Sequence, residues 1–315
     1  MHTKPITPAL LAAAVLTLTA CANEDPTAPA DNATDADGQT VTIGTANFPE
    51  SEIIGQIWAQ ALRDAGYEVT VKSGIGSREV YLSALEDGSI NVVPEYAGNL
   101  TQFYGELEQG ADESAVRETL NSVLPDSLEA GDFSPAESKD AYRVTRETAD
   151  ANGLSSIADL AKLDTVTIAA PPEFAERPYG PKGLSDVYGI DASKVTVTPI
   201  SDGGGPLTVA ALVQGTANVA NIFTTSPALL DNGEEADLVI LDDPENLIPP
   251  QNVVPVIRSG QLPDGALDVI NDIDAKLTTQ DLVEMNLRNV GEERAEPAQI
   301  AQDWVLSLIH ISEPT

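Results

Sequence analysis

The stretch "INVVPEYAGNL", residues 90–100, decides how the chain is read. An apolar run over residues 90–93 stops at Pro94, a Glu–Tyr pair follows, and a helix starts near Asn99 after Gly98. A run this short, bounded by turn residues, reads as a buried strand. It leaves the phenol of Tyr96 where the strand ends and the backbone turns. Working outward, the same punctuation repeats. Residues 41–46, 67–72, 166–170, 195–200, 218–223 and 238–241 read as strands. Between and after them, residues 50–64, 77–86, 100–104, 113–123, 155–162, 183–188, 207–214 and 228–230 read as helices. The first of these puts Ile53, Ile57, Ala61 and Leu62 on one face. Residues 266–276, 280–289 and 297–305 continue as helix.

Strand–helix alternation predicts an α/β fold with mostly parallel sheets flanked by helices. Two extended segments, residues 142–148 and 253–257, bracket the middle of the chain. They predict an inserted lobe: residues 41–141 with 254–306 form lobe 1, and residues 142–253 form lobe 2. A ligand cleft between them would lie beyond the carboxyl ends of the strands, where Phe48, Tyr96 and Phe223 fall.

At 315 residues the chain is long enough for two such lobes. Its 50 acidic and 16 basic side chains give a formal charge of −34. That surface repels phosphate backbones and anionic lipid heads, so no nucleic-acid partner is expected. Residues 1–21 carry a basic start, an apolar run too short to span a bilayer, and a small-residue site before Cys21, and so read as an export signal. Cys21 is the only cysteine, and acylation at its sulfur accounts for an unpaired thiol in an exported protein. Residues 22–40, without a large apolar side chain until Val41, read as a disordered tether. The run "LSLIHISEPT" is expected to break the last helix, and residues 307–315 are set aside as a non-native tail.

Only His2 and His310 are present, in the signal and the tail. Ser–His and Cys–His nucleophile systems and His/Cys metal sites therefore have no residues to use. A carboxylate-pair hydrolase stays open on composition, with no spacing to point to its acids. The "SDGGGP" run precedes a helix but lacks the spacing of a nucleotide loop.

The blocks "GTANFPESEIIGQIWAQALRDAGYEV", "ALEDGSINVVPEYAGN", "PEFAERPYG" and "PPQNVVPVIR", in that order behind a lipobox-like "LTAC", resemble the substrate-binding lipoproteins of osmoprotectant ABC importers. That resemblance implies the two-lobed type II periplasmic-binding-protein fold and a glycine betaine, choline, carnitine or proline-betaine ligand. It implies ABC permease subunits as partners, a membrane contact through the lipid anchor only, and a monomer on the outer face of a bacterial cell membrane. No cofactor and no bond chemistry are implied. Carried over position by position, Tyr96 matches a cage ring and Asn99 a polar donor. Asp140 and Tyr142 match a pair at the hinge, Arg177 the partner of a ligand carboxylate, Glu173 a neighbouring acid and Phe223 a third ring. In "PPQN", Gln251 stands where the family has a tyrosine, with Asn252 beside it, and Ala46 stands where some relatives have lysine. Tyr81, Tyr179 or Phe48 are candidate replacement rings and Arg78 a candidate replacement charge. A quaternary ammonium has no N–H to donate and is held by ring faces, which accounts for a tyrosine at the strand end. Another zwitterion or amino acid as the ligand, and a purely sensory lipoprotein, are the alternatives.

Overall fold

The computed structural model describes residues 40–230 and 232–311, except for the side chains of residues 309–311. The expectations for the signal, Cys21 and most of the tether lie outside the described residues. The chain begins with β1 (Thr40–Gly44), α1 (Pro49–Asp64), β2 (Glu68–Lys72), α2 (Arg78–Glu86), β3 (Val92–Tyr96), α3 (Ala97–Tyr104), α4 (Glu113–Val123) and β4 (Leu128–Ala130). It continues with β5 (Tyr142–Thr145), α5 (Arg146–Asn152), β6 (Val166–Ala170), α6 (Pro181–Tyr188), β7 (Val195–Pro199), α7 (Pro206–Val213), β8 (Val219–Asn221) and β9 (Leu238–Ile240). It closes with β10 (Val253–Arg258), α8 (Ala266–Asp274), α9 (Thr279–Val290) and α10 (Pro297–Ile311).

These strands form two sheets with one plan. The first has the order β2-β1-β3-β10-β4 and the second β7-β6-β8-β5-β9. In each, the early strands pair in parallel and one crossing strand, β10 or β5, pairs antiparallel with both its neighbours. Parallel pairs, expected to dominate, are therefore only half of the pairings. The crossing strands run against the direction set by the strand–helix repeats, because each enters its sheet from the other one. Pro94 and Pro255 face each other in the β3–β10 ladder. Neither has an N–H, so this is a site of the ladder where no hydrogen bond is exchanged.

Helices cover both faces of each sheet. Trp58, Ile53, Ile54, Ile57 and Leu62 of α1 are fully buried in a core shared with α8, α9 and α10. On the opposite face, Leu82, Leu85, Leu100, Val116 and Leu120 from α2–α4 form a second core. In the second lobe Ile157, Leu160, Phe174 and Leu184 pack on one face, and Val209 and Leu212 on the other. The segments joining the lobes run side by side. Ser138 donates its N–H to the Gln251 carbonyl at 3.1 Å, and Gln251 donates its own to Glu137 Oε1 at 3.0 Å.

Several expectations need correction. The extended segment over residues 142–148 stops at Thr145, whose hydroxyl accepts from Thr148 N and caps α5. Gly153, at φ 59°, then ends that helix in the left-handed conformation glycine adopts most readily. No helix forms over residues 228–230; Leu229 bridges to Glu235 instead. The last helix does not break near Val305 but runs to Ile311, with Leu308 packed on the first core. The three-residue strand β4 was not anticipated.

Asp274 is 1% exposed and accepts one hydrogen bond, from Trp58 Nε1 at 2.6 Å, while its Oδ2 has no partner among the described residues. Burial pushes its carboxyl up to about 7, with the Trp58 bond acting weakly the other way. An unfolded aspartate ionises near pH 4. Between these values the folded state holds a proton the unfolded state has lost. Stability therefore falls as pH rises, on the order of 1 kcal/mol per pH unit, and the fall ends above about pH 7. Asp274→Asn keeps the acceptor for Trp58 and removes the titration. It is expected to raise the melting temperature at pH 8 and to change it little at pH 4.5. Thermal scans across that range check this, and an equal loss at both ends would contradict it.

Candidate ligand-binding site

A cavity of about 370 Å³ lies where the loops after β1, β2, β3, β6, β7 and β8 converge. This is the carboxyl-end position at which open α/β sheets bind ligands. Ten of the candidates named from sequence line it: Phe48, Arg78, Tyr81, Tyr96, Asn99, Asp140, Glu173, Arg177, Tyr179 and Phe223.

Three rings form an arc. The centroids of Phe48 and Tyr96 are 6.1 Å apart and those of Phe48 and Phe223 6.2 Å apart, each pair tilted by 33°. Tyr96 is 7% exposed, and its hydroxyl donates to Glu50 Oε1 at 2.6 Å. Burial and the adjacent Glu50 push the Tyr96 phenol well above its ordinary range, so it stays protonated and donating. Phe223 is held by its backbone: the buried Arg143 donates to its carbonyl.

Glu50 is a buried lining residue that sequence reading missed. It is 6% exposed and lines the cavity. Besides Tyr96 it accepts from Thr225 Oγ1 at 2.5 Å and from Asn286 Nδ2 at 2.6 Å. An acid in the first turn of a helix is ordinary and exposed in most proteins. Nothing near "FPES" signals burial, because two of the donors come from distant parts of the chain.

Arg78 is not a loose charge. Its guanidinium grips the fully buried Glu95 through two bonds of 2.8 and 2.9 Å, and Tyr81 donates to the same carboxylate at 2.7 Å. Burial works against the Arg78 charge, but Glu95 outweighs it and holds the guanidinium well above its ordinary range. Arg177, by contrast, is half-buried at the cavity wall and makes no side-chain hydrogen bond or ion pair with any described residue. Glu173 beside it is exposed. Asn99 donates to Asp140 Oδ2 at 3.2 Å, joining α3 to the crossing segment.

Tyr142, Gln251 and Asn252 do not reach the cavity. Tyr142 is fully buried in the second-lobe core, with its hydroxyl on the Tyr179 carbonyl at 2.5 Å and its ring edge-on to Phe174 at 5.8 Å. Burial, with Asp140 next, pushes its phenol well up. The first residue of β5 faces the core because the sheet, not the cleft, covers that side. Gln251 stands behind Asn99, accepting from its N–H and donating to its Oδ1, both at 2.9 Å. Asn252 donates to the Ser134 carbonyl at 3.0 Å. Tyr81 and Tyr179, the replacement rings, do line the wall, as does Asp202.

Two sheets, crossing segments and a cleft at the strand ends define a two-lobed solute-binding fold. The chain belongs to the family described as the substrate-binding domain of ABC-type glycine betaine transport systems, whose model matches residues 39–307. It is 27% identical over 285 residues to a glycine-betaine-binding protein of Pseudomonas aeruginosa, covering 86% of this chain and 88% of that one. It is 24% identical over 277 residues to the glycine betaine-binding protein YehZ of Escherichia coli, covering 84% and 89%. Among solved structures, a glycine betaine/carnitine/choline ABC transporter protein superposes with a TM-score of 0.67 at 23% identity, over 85% of this chain and 98% of that one. A choline-binding protein in complex with choline superposes at 0.61 and 16% identity, over 89% and 92%.

Because Tyr142 is walled off from the cavity, Tyr142→Phe is expected to cost about 1 kcal/mol of stability from its lost hydrogen bond. Binding in the cavity should not change. Denaturation and titration of the same variant test both halves; weaker binding without lost stability would contradict the placement.

Proposed function

We propose that this chain is the extracytoplasmic receptor of an ABC importer, and that it captures a quaternary-amine osmoprotectant such as choline or glycine betaine. One observation carries this reading: the Phe48–Tyr96–Phe223 arc stands against the Glu50 carboxylate inside one cavity. A trimethylammonium group cannot donate a hydrogen bond, so a site for it needs ring faces and negative charge. Each ring contributes about 0.5 to 2 kcal/mol, more as water is excluded. The Tyr96 phenol, tied to Glu50, leaves its ring face for the cation. Arg177 supplies the opposite pole for a ligand carboxylate. Counting formal charge, Glu50, Asp140, Glu173 and Asp202 line the cavity against Arg177 and an Arg78 already compensated by Glu95. That balance favours a solute with net positive charge, choline over a zwitterion.

In this reading the residues of lobe 1 (41–141 with 254–306) and lobe 2 (142–253) close on the solute about the paired crossing segments, as contacts to both lobes favour the closed state. The closed receptor docks on the permease subunits as a monomer. A lipid on Cys21 and the tether over residues 22–40 hold it to the outer face of the membrane. It carries out no bond chemistry.

Calorimetric titration of the full chain tests the pocket. Tyr96→Ala is expected to weaken choline and glycine betaine alike, by about 0.5 to 2 kcal/mol for the ring face plus lost packing. Arg177→Ala removes a charge-assisted bond of about 1.5 to 3 kcal/mol. It should therefore weaken glycine betaine and spare choline, which has no carboxylate. Equal losses for both solutes in Arg177→Ala, or none in Tyr96→Ala, would contradict the pocket.

A further inference from the structure

A second chamber, of about 470 Å³, adjoins the first. The two share Phe48, Pro49, Glu50, Asp202, Gly203 and Phe223 as a common wall. Beyond that wall the second chamber is bounded by the loop before α7 and the segment after β8 on one side, and by the end of α9 on the other. Of its ten non-glycine side chains there, five are apolar (Pro206, Pro227, Leu229, Leu230 and Val290) and five polar (Ser226, Asn232, Asn286, Glu292 and Arg294), with the amide of Asn232 turned to Glu234. Val290 is 41% exposed, an apolar group left facing open space.

The first chamber alone lies within the usual size range of a small-molecule site, and a trimethylammonium head with a short arm uses only part of it. The second chamber is therefore surplus to a compact betaine. Its chemistry also says what it would accept. Asn286 at the wall already donates to Glu50 and to the Thr225 carbonyl, so both its amide hydrogens are taken. Glu50 and Asp202 on the wall disfavour a second carboxylate. Glu292 and Arg294 at the rim cancel in formal charge. What the chamber offers is an apolar strip from Pro206 to Val290, with the amides of Asn232 and Asn286 engaged elsewhere and the charges of Glu292 and Arg294 balanced.

We propose that the second chamber is a subsite for a neutral, apolar arm on the quaternary amine. The protein would then take O-acylated amino alcohols of the choline type as well as compact ones. The proposal rests on the function given above: the head stays against Phe48, Tyr96, Phe223 and Glu50, and the arm crosses the shared wall. Each methylene removed from water raises affinity by about fourfold.

The test is calorimetric titration of the full chain with choline, acetylcholine, butyrylcholine and hexanoylcholine. Affinity is expected to rise with acyl length, with butyrylcholine binding at least tenfold tighter than choline. Val290→Trp fills the chamber from an exposed position, and Leu230→Gln makes its far wall polar. Each should leave choline within about twofold of the unmodified protein and remove most of the chain-length gain, as expected for burial of an apolar arm. Affinity that falls as the acyl chain lengthens, or a chain-length series unchanged in both variants, would overturn the subsite while leaving choline recognition intact. Failure of both choline and glycine betaine to bind would remove the proposed function and this subsite with it.

Discussion

The architecture of the cleft depends on one buried carboxylate. Glu50 sits at the start of α1 and accepts from Tyr96 at the end of β3, from Thr225 in the loop after β8, and from Asn286 in α9. Those donors lie 46, 175 and 236 residues away along the chain. A carboxylate taken from water is costly unless its lone pairs are met, and removing one partner exposes the whole penalty. The three donors are thus held in register by the group they serve. One belongs to the first sheet, one to the second-lobe loop and one to a covering helix, so the bond set links elements that the backbone alone leaves separate.

That link positions the rings. With its hydroxyl fixed on Glu50, Tyr96 cannot swing out of line with Phe48, and Phe48 in turn stands against Phe223. Arg143 holds the Phe223 backbone from behind, through its carbonyl and that of Ser226. Beside Tyr96, whose N–H donates to Glu95, Arg78, Glu95 and Tyr81 form a closed set that carries no net formal charge into the cavity. Arg177 is the cation at the wall left without such a partner among the described residues. The site thus combines three rings, several carboxylates and one guanidinium without a partner among the described residues, built on loops that a pair of sheets supports.

Much of this was legible in the residues. The alternation of Val41 and Ile43, the one-faced run of Ile53, Ile57 and Leu62, and the stop at Pro94 located strands and helices to within a few residues. Motif blocks and the residues around them brought ten of the lining side chains into view. The misses have physical reasons. α5 carried its own signals, Thr145 as cap and Gly153 as terminator, but they were outweighed by the β-favouring start of the segment. β4 is three residues long at a sheet edge, too short for a period to register. Tyr142 and Gln251 occupy strand and crossing positions whose facing is set by what packs behind them. Tyr142 turned to the second-lobe core, and Gln251 became the support of Asn99. Glu50 was invisible for the strongest reason: its burial is created by Thr225 and Asn286, and no local pattern around residue 50 encodes them.

The central claim is that the wall formed by Glu50 and the three rings recognises a positive charge that cannot donate a hydrogen bond. The most direct measurement is titration of the full chain with choline and with 3,3-dimethylbutan-1-ol, which has the same shape with carbon in place of the charged nitrogen. The account predicts that choline binds at least a hundredfold more tightly and that Glu50→Gln narrows the gap. Equal binding of the two would show that the cavity reads shape and apolar area alone, and would contradict it.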